Sequence, residues 1–315
     1  RKTRDSAALL ASYIGLGLSL EGLGQPQEAA DSFQRAVERM EEQRAALTPA
    51  ARTHFLDGEV EAGFKRILAY EGLVRVKGKL SDPAGAFYWS EYTKARLLLE
   101  ALARAKGSLG LPPDLARREE ELTDRLAGLY RQREAAFAKN PALFQKIEEE
   151  GLPQATEELA RFIGALRRDH PAYAALKYPQ PLPAAELALR PREALLAYEV
   201  TEKESFAWLI RNGKVIQALT IPITRQELTQ QVKQYRGFFE GITAYPELSR
   251  FDPRVGKKLY DLLFKDLAPL LKEGDRLILV PDEILGILPF EALVVELPAG
   301  VKTASGQYGP YPQGV

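Results

Sequence analysis

Arg276-Leu277-Ile278-Leu279-Val280-Pro281-Asp282-Glu283-Ile284-Leu285-Gly286-Ile287-Leu288-Pro289-Phe290-Glu291-Ala292-Leu293 is the stretch that decides the fold. Its opening, Leu277 to Val280, is apolar without alternation. A short run of that kind is the pattern of a strand covered on both faces, as in a parallel sheet flanked by helices. Its carboxyl end opens into Pro281-Asp282. In open α/β sheets, ligands and catalytic groups gather beyond such strand ends. Asp282 and Glu283 therefore have two readings, beside a specificity pocket or simply closing the turn after Pro281. Aspartate is a common turn former, and the turn reading is preferred.

Strand signals continue upstream, at residues 194–200, 205–211 and 214–221. The last two are joined by Asn212-Gly213, a strong hairpin signal because both residues tolerate positive φ. Alternation puts Phe206 and Trp208 on one face and Ala207 and Leu209 on the other. Helical periodicity covers residues 225–239. Asp252-Pro253 starts another helix, expected to run through Leu259, Leu262, Leu263 and Leu267 to Leu271, with Gly274 ending it. Before the strands, Pro171, Pro179, Pro181, Pro183 and Pro191 suggest an extended linker.

The middle of the chain reads as helical. Residues 107–113 are rich in Gly and Pro and mark a boundary. A helix from about 114 to 139 carries Leu115, Leu122, Leu126, Leu129 and Phe137 on one stripe. A second, about 154 to 168, carries Leu159, Phe162, Ile163 and Leu166. They are expected to pair and to lie on a neighbouring domain. The run Glu148-Glu149-Glu150 between them reads as a solvated turn rather than a metal site.

Residues 12–40 hold two apolar-periodic segments separated by Gly24-Gln25-Pro26. Tyr13, Leu16, Gly17 and Leu20 are spaced for one helix, and Ala29, Phe33 and Ala36 for a second. Small residues at 17, 29 and 36 let two helix backbones approach, with Phe33 filling the gap, and Gly24 closes the first helix. This pattern resembles a tetratricopeptide (TPR) repeat, with Leu20 where the family favours tyrosine and Glu41 where it favours proline. The first helix is apolar nearly all round (Leu9, Leu10, Ala11, Tyr13, Ile14, Leu16, Leu18, Leu20), as expected of a helix buried on two sides. Further repeats ahead of Arg1, or another packed domain, would supply the second cover. The resemblance puts Ala11, Ile14 and Leu18 on the ligand groove of such repeats. Being apolar, they suit an apolar segment of a protein or peptide partner, or of the same molecule. Residues 53–77 read as one long amphipathic helix, and Ser81-Asp82-Pro83 as the start of the next, holding Phe87, Tyr88, Tyr92 and Leu97 to Leu99.

In the last third, Pro171-Ala172-Tyr173-Ala174-Ala175-Leu176, the prolines after Tyr178 and Ala194-Leu195-Leu196-Ala197-Tyr198 come in order. The Asn212-Gly213 hairpin, Leu259-Tyr260, Leu277 to Asp282 and Leu288 to Leu293 follow. This series resembles a CHAT domain, the caspase-like domain commonly found behind TPR arrays. The resemblance implies a cysteine-peptidase fold with a His–Cys pair on later strands, which would follow Val315. No catalytic residue is carried over. The chain has no cysteine, so it has no disulfide, thiolate zinc site or cysteine nucleophile of its own. Its histidines, His54 and His170, match neither role and lack a ligand-spaced partner.

Lys+Arg and Asp+Glu are 43 each, so the chain carries no net charge and no electrostatic footprint for nucleic acid. No apolar run reaches membrane-spanning length. Arg1 rather than Met suggests a missing N-terminal piece, and with it any targeting signal; a cytoplasmic location is expected. No P-loop, Gly-x-Ser-x-Gly elbow or dinucleotide fingerprint is present, and neither cofactor nor metal is expected. The expected fold class is α + α/β: TPR-like hairpins over 1–106, a helical connector over 107–178, and the first half of a caspase-like sheet domain over 179–315. The functional expectation is the front of a TPR–CHAT cysteine peptidase whose repeats bind a regulatory or substrate protein. The alternative is a peptidase-like scaffold that assembles partners without cleavage.

Overall fold

The computed structural model describes residues 2–45, 55–56, 58–60, 63–104, 111–137, 139–178, 181–241 and 251–297. Its class is mixed α and β. The chain divides into two compact units, Arg1–Pro183 and Ala184–Val315. The expected division at 106/107 falls inside the first unit, and residues 105–110 lie outside the described ones. Residues 298–315 also lie outside the described ones.

Helices α1 (Lys2–Gly22) and α2 (Pro26–Ala45) open the first unit. Gly24 turns the chain between them at φ +73°, a value L side chains rarely adopt, and Pro26 sits at the first helical position, where its missing N–H costs nothing. Next come α3 (Ile67–Lys79) and α4 (Pro83–Arg104). Asp82 caps α4, its carboxylate accepting the Gly85 N–H at 2.8 Å. Helices adjacent in sequence pack on one another from α1 to α4. Phe33 is fully buried at the heart of this stack. A Cβ on Gly17 of α1 or on Gly72 of α3 would stand 2.6 Å from its ring, so both positions need glycine for the helices to close around it.

Residues 53–77 do not form one helix: α3 starts at Ile67. Ahead of it the chain reverses tightly, with the Val60 N–H bonded to the Phe64 carbonyl at 2.8 Å and Gly63 at φ +75°. Phe55 and Val60, on the apolar stripe of that run, are buried all the same. Phe55, Leu56 and Val60 share a cluster with Leu10, Ala11 and Ile14, and Phe64 packs against it. Apolar spacing reported burial here, while Gly63 at positive φ set the turn.

The middle helices are α5 (Pro113–Ala136), α6 (Pro141–Lys146), α7 (Leu152–Asp169) and α8 (Pro171–Lys177). α5 packs on α7, as expected of the pair, and also on α2, and all three helices fall within the first compact unit. Phe137 leaves the expected stripe and stands exposed, its ring edge-on to Phe144. Glu148 to Glu150 sit on a π-helical turn (Ile147–Gly151), with Glu149 and Glu150 exposed as expected of a solvated turn. Pro171 opens α8 instead of an extended linker, because proline is well tolerated at a helix's first turn.

Three polar clamps tie these helices together. Arg75 of α3 grips Glu21 of α1 through Nε (3.0 Å) and Nη2 (2.8 Å), with Lys79 adding a bond at 2.8 Å. Arg133 of α5 bridges Glu42 of α2 (2.8 Å) and Glu148 (3.0 Å). Buried Glu119 of α5 accepts from Tyr173 (2.6 Å), Lys177 (2.6 Å) and Tyr178 (2.5 Å) around α8.

The second unit holds β1 (Glu193–Val200), β2 (Ser205–Arg211), β3 (Lys214–Ile221), α9 (Arg225–Gly237), α10 (Pro253–Leu263) and β4 (Arg276–Val280). The strands form one sheet in the order β3-β2-β1-β4. The β1/β2 and β2/β3 pairs are antiparallel, and β1/β4 is parallel. Asn212 (φ +51°) and Gly213 (φ +71°) make the tight turn between β2 and β3. Ala194, Leu196, Tyr198, Ala207 and Leu209 share a core with Leu228, Val232 and Tyr235 of α9 and Leu259 and Leu263 of α10. Phe206 and Trp208 stack on the opposite face.

Two expectations are corrected here. α10 ends at Leu263, and residues 268–270 form a 3-10 turn, because Pro269 cannot donate to a helix and would crowd the carbonyl four residues back. Among the described residues β4 is not covered on both faces. It is an edge of the sheet among the described residues; Leu277 to Val280 are all partly exposed, and Leu277 and Leu279 pack on the core. An apolar run shows that a strand is buried on at least one face, not that a second layer lies over the other.

Candidate functional site

Two places carry the residues that the sequence singles out, one in each unit. In the first, Ala11 and Ile14 are buried at 7% and 0% exposure, and Leu18 packs at the margin of the same cluster. These positions are not an open groove. Phe55, Leu56 and Val60 lie in that cluster, and a Cβ on Gly15 would stand 3.3 Å from the Phe64 ring. The Arg66 guanidinium fastens the segment, stacking over the Phe55 ring at 4.6 Å and donating to the Phe55 carbonyl at 3.1 Å. Leu9 and Leu16, which the sequence places on a helix buried all round, are exposed.

The second place is the carboxyl end of the parallel pair β1/β4. Pro281 ends the β4 ladder, and the Asp282 carboxylate turns back to accept the Val200 N–H of β1 at 2.8 Å. Glu283 follows at φ +44°, in the left-handed region. Arg225, the first residue of α9, lies opposite. Its guanidinium donates to Glu202 (2.6 Å), Glu283 (2.9 Å) and the Val200 carbonyl (3.0 Å). A capping box fixes the helix start behind it: Thr224 accepts the Glu227 N–H, and the Glu227 carboxylate accepts the Thr224 N–H. Burial pushes the Glu283 carboxyl above its ordinary value; Asp282 and Glu202 push the same way, and Arg225 opposes them.

Asp282 thus does more than close its own turn, since its carboxylate ties β4's exit to the end of β1. Arg225 and Glu202 join it, and no sequence motif marks either. Three of the guanidinium's nitrogens are engaged, so the group works as a clamp that fixes three chain segments at the sheet's carboxyl edge. It holds no nucleophile–base pair. His170 lies in the first unit, at the start of α8, and His54 is outside the described residues. Among the described residues no cluster of three His, Asp or Glu side chains is placed to hold a metal, and no helix is long and apolar enough to cross a membrane.

The segment beyond the clamp seals the core. Leu285 and Leu288 are buried, Phe290 stacks on Tyr198, and the Tyr235 hydroxyl donates to the Ala292 carbonyl. Burial of the Tyr198 phenol, which donates to the Leu263 carbonyl at 3.1 Å, pushes its pKa far up, so it serves as a neutral donor. Comparison with protein families, with curated proteins and with solved structures finds no match to this chain.

Proposed function

We propose that this chain is the helical-repeat and leading sheet portion of a TPR–CHAT, caspase-like cysteine peptidase. The observation that carries the reading is the sheet's carboxyl edge. β1 and β4 run parallel side by side, and the turn Pro281-Asp282 and the run Leu288 to Leu293, which resemble the CHAT pattern, turn onto that edge and the core beneath it. The clamp built on Arg225 holds this edge in a fixed shape while contributing no reacting group. That suits a frame on which a peptidase's working loops are mounted. The packing of α1 on α2, α2 on α3 and α3 on α4 supports the repeat half of the reading, with Gly17, Ala29, Phe33 and Ala36 at its centre.

In this reading the groove of Ala11, Ile14 and Leu18 has occupants from its own chain, Phe55, Leu56, Val60 and Phe64. A regulatory or substrate protein then engages the repeats on another surface or displaces those residues.

The full-length polypeptide containing this sequence tests the peptidase reading. It is expected to cleave peptides in a thiol-dependent manner, with a loss of about a thousandfold or more when the nucleophilic cysteine is changed to alanine. A coding sequence without a strand-end His and Cys after Val315 overturns it in favour of a non-cleaving scaffold. So does cleavage indifferent to that change. The 315-residue chain by itself, lacking cysteine, is expected to show no cleavage blocked by thiol reagents.

A further inference from the structure

The outer face of α1 is an exposed stripe of a particular make. Leu9, Leu16 and Leu23, seven residues apart, are 39%, 49% and 74% exposed. Between them stand Ser12 and Ser19, also exposed and seven apart. Both serine hydroxyls are folded back into the helix, Ser12 onto the Ala8 carbonyl (2.7 Å) and Ser19 onto the Gly15 carbonyl (2.8 Å). The stripe therefore alternates large apolar and small side chains and leaves no hydroxyl reaching outward. That is the relief of a helix-packing surface rather than of a solvated one.

The chain itself shows what such a face packs against. α3 and α4 repeat α1 and α2 with an offset of 57 positions, since Lys79 closes α3 as Gly22 closes α1, and Pro83 opens α4 as Pro26 opens α2. At that offset Ser12, Leu16 and Ser19 correspond to Ala69, Leu73 and Val76, which are 0%, 1% and 0% exposed. Leu23 corresponds to Leu80, which packs on the same core. Those α3 residues share one cluster with Ala29, Phe33, Ala36, Val37 and Met40 of α2, the helix on which α3 packs. Tyr70 at this contact donates to Glu41 of α2 at 2.8 Å. Its counterpart Tyr13 has no such acceptor among the described residues.

We infer that the outer face of α1 is the seat for one more helix of the α2 kind. That helix packs on Ser12, Leu16, Ser19 and Leu23 as α2 packs on Ala69, Leu73, Val76 and Leu80, with a carboxylate at the Glu41 position receiving the Tyr13 hydroxyl. The inference shares with the functional reading only the pairing of the α1–α2 and α3–α4 hairpins. The peptidase half of that reading stands or falls separately, on the cleavage assay.

A chain in which residues 2–66 are placed again ahead of Leu10 supplies such a helix in the register that α2 has on α3. Its helical unit is expected to melt about 2–4 °C or more above the parent's. Leu16→Glu in the original α1 is expected to abolish that rise, while shifting the parent's own midpoint by less than about 2 °C, as surface changes do. No rise overturns the inference, as does a rise that Leu16→Glu leaves intact. Sedimentation of the parent decides the rival occupant: a dimer dissolved by Leu16→Glu makes the partner a second copy and overturns the inference. If the extended chain fails to fold, the parent with a benzophenone crosslinker in place of Leu16 is irradiated with a synthetic peptide of residues 26–45. Capture about tenfold above a scrambled peptide is expected; equal capture overturns the inference.

Discussion

Glu21 shows at the residue scale how a side chain acquires a role that its sequence position does not announce. It is one acidic residue near the end of an apolar helix, yet it receives three bonds from Arg75 and one from Lys79. Burial pushes its carboxyl up, and the bonds from Arg75 and Lys79 outweigh burial and hold it below the ordinary 4.5. A carboxyl depressed on folding contributes stability above its unfolded value, and the contribution is lost as pH falls through the lowered folded value. Glu21→Gln is therefore expected to be less stable than the parent at neutral pH, with the gap narrowing on acidification below about pH 4.5. Parallel thermal melts of the two chains from neutral pH into acid check this, and a gap that stays constant contradicts it. Phe33 and Gly17 were legible as a packing pair from small and large residues at helical spacing. Gly72, the second wall of the same pocket, was not, because it sits 39 positions beyond Phe33 with a chain reversal between.

At the scale of elements, periodicity located apolar faces more reliably than it located helices. The three strands of the β1–β3 meander and the Asn212-Gly213 turn fell where alternation and turn chemistry put them. Residues 55–66 did not, since a buried reversal and a helix stripe can share the same apolar spacing. The reversal leads to a prediction about the groove. Leu18 sits at the margin of the cluster, so Leu18→Asp is expected to loosen segment 55–66 while α1 to α4 stay folded. Trypsin should then cut at Lys65 or Arg66 about tenfold faster, with little change in helix content. Ile14 is wholly buried, so Ile14→Asp is expected to cost about 3–5 kcal/mol and to weaken the helical unit itself. Cleavage of the Leu18→Asp chain at the parent's rate would show that the segment does not depend on this groove. Asp282 and Arg225 mark the limit of local reading: strand ends point to the sheet's edge, but the clamp needs β1, α9 and β4 brought together from positions 200, 225 and 282.

At the scale of the whole molecule, each compact unit has its own core. One is built around Leu10, Ile14 and Phe33, the other around Leu196, Tyr198 and Leu259. Units with separate cores unfold as separate cooperative blocks when little couples them. Calorimetry is expected to resolve two transitions. Leu10→Ala should lower one midpoint and Leu196→Ala the other, each by a cavity cost of about 2–5 kcal/mol. A single transition that both changes lower together would show that the units melt as one.

The sequence by itself determined what neighbouring residues can settle. It gave helix starts through Asp82-Pro83 and Asp252-Pro253, and the β2–β3 hairpin through two residues that tolerate positive φ. It also gave the change from a helical to a strand period near residue 190, and the exclusion of cysteine chemistry within the chain. Tertiary structure alone decided which apolar faces are covered. It packed Phe55, Leu56 and Val60 of the same chain into one cluster with Ile14, left Leu9 and Leu16 in solvent, left β4 at an edge of the sheet among the described residues, and joined Arg225 to Glu202 and Glu283. The physical reason is that capping, turns and period arise from bonds spanning a few residues. Burial and charge pairing depend on which distant segments meet, and the spacing along one strand of sequence is the same whether or not they do.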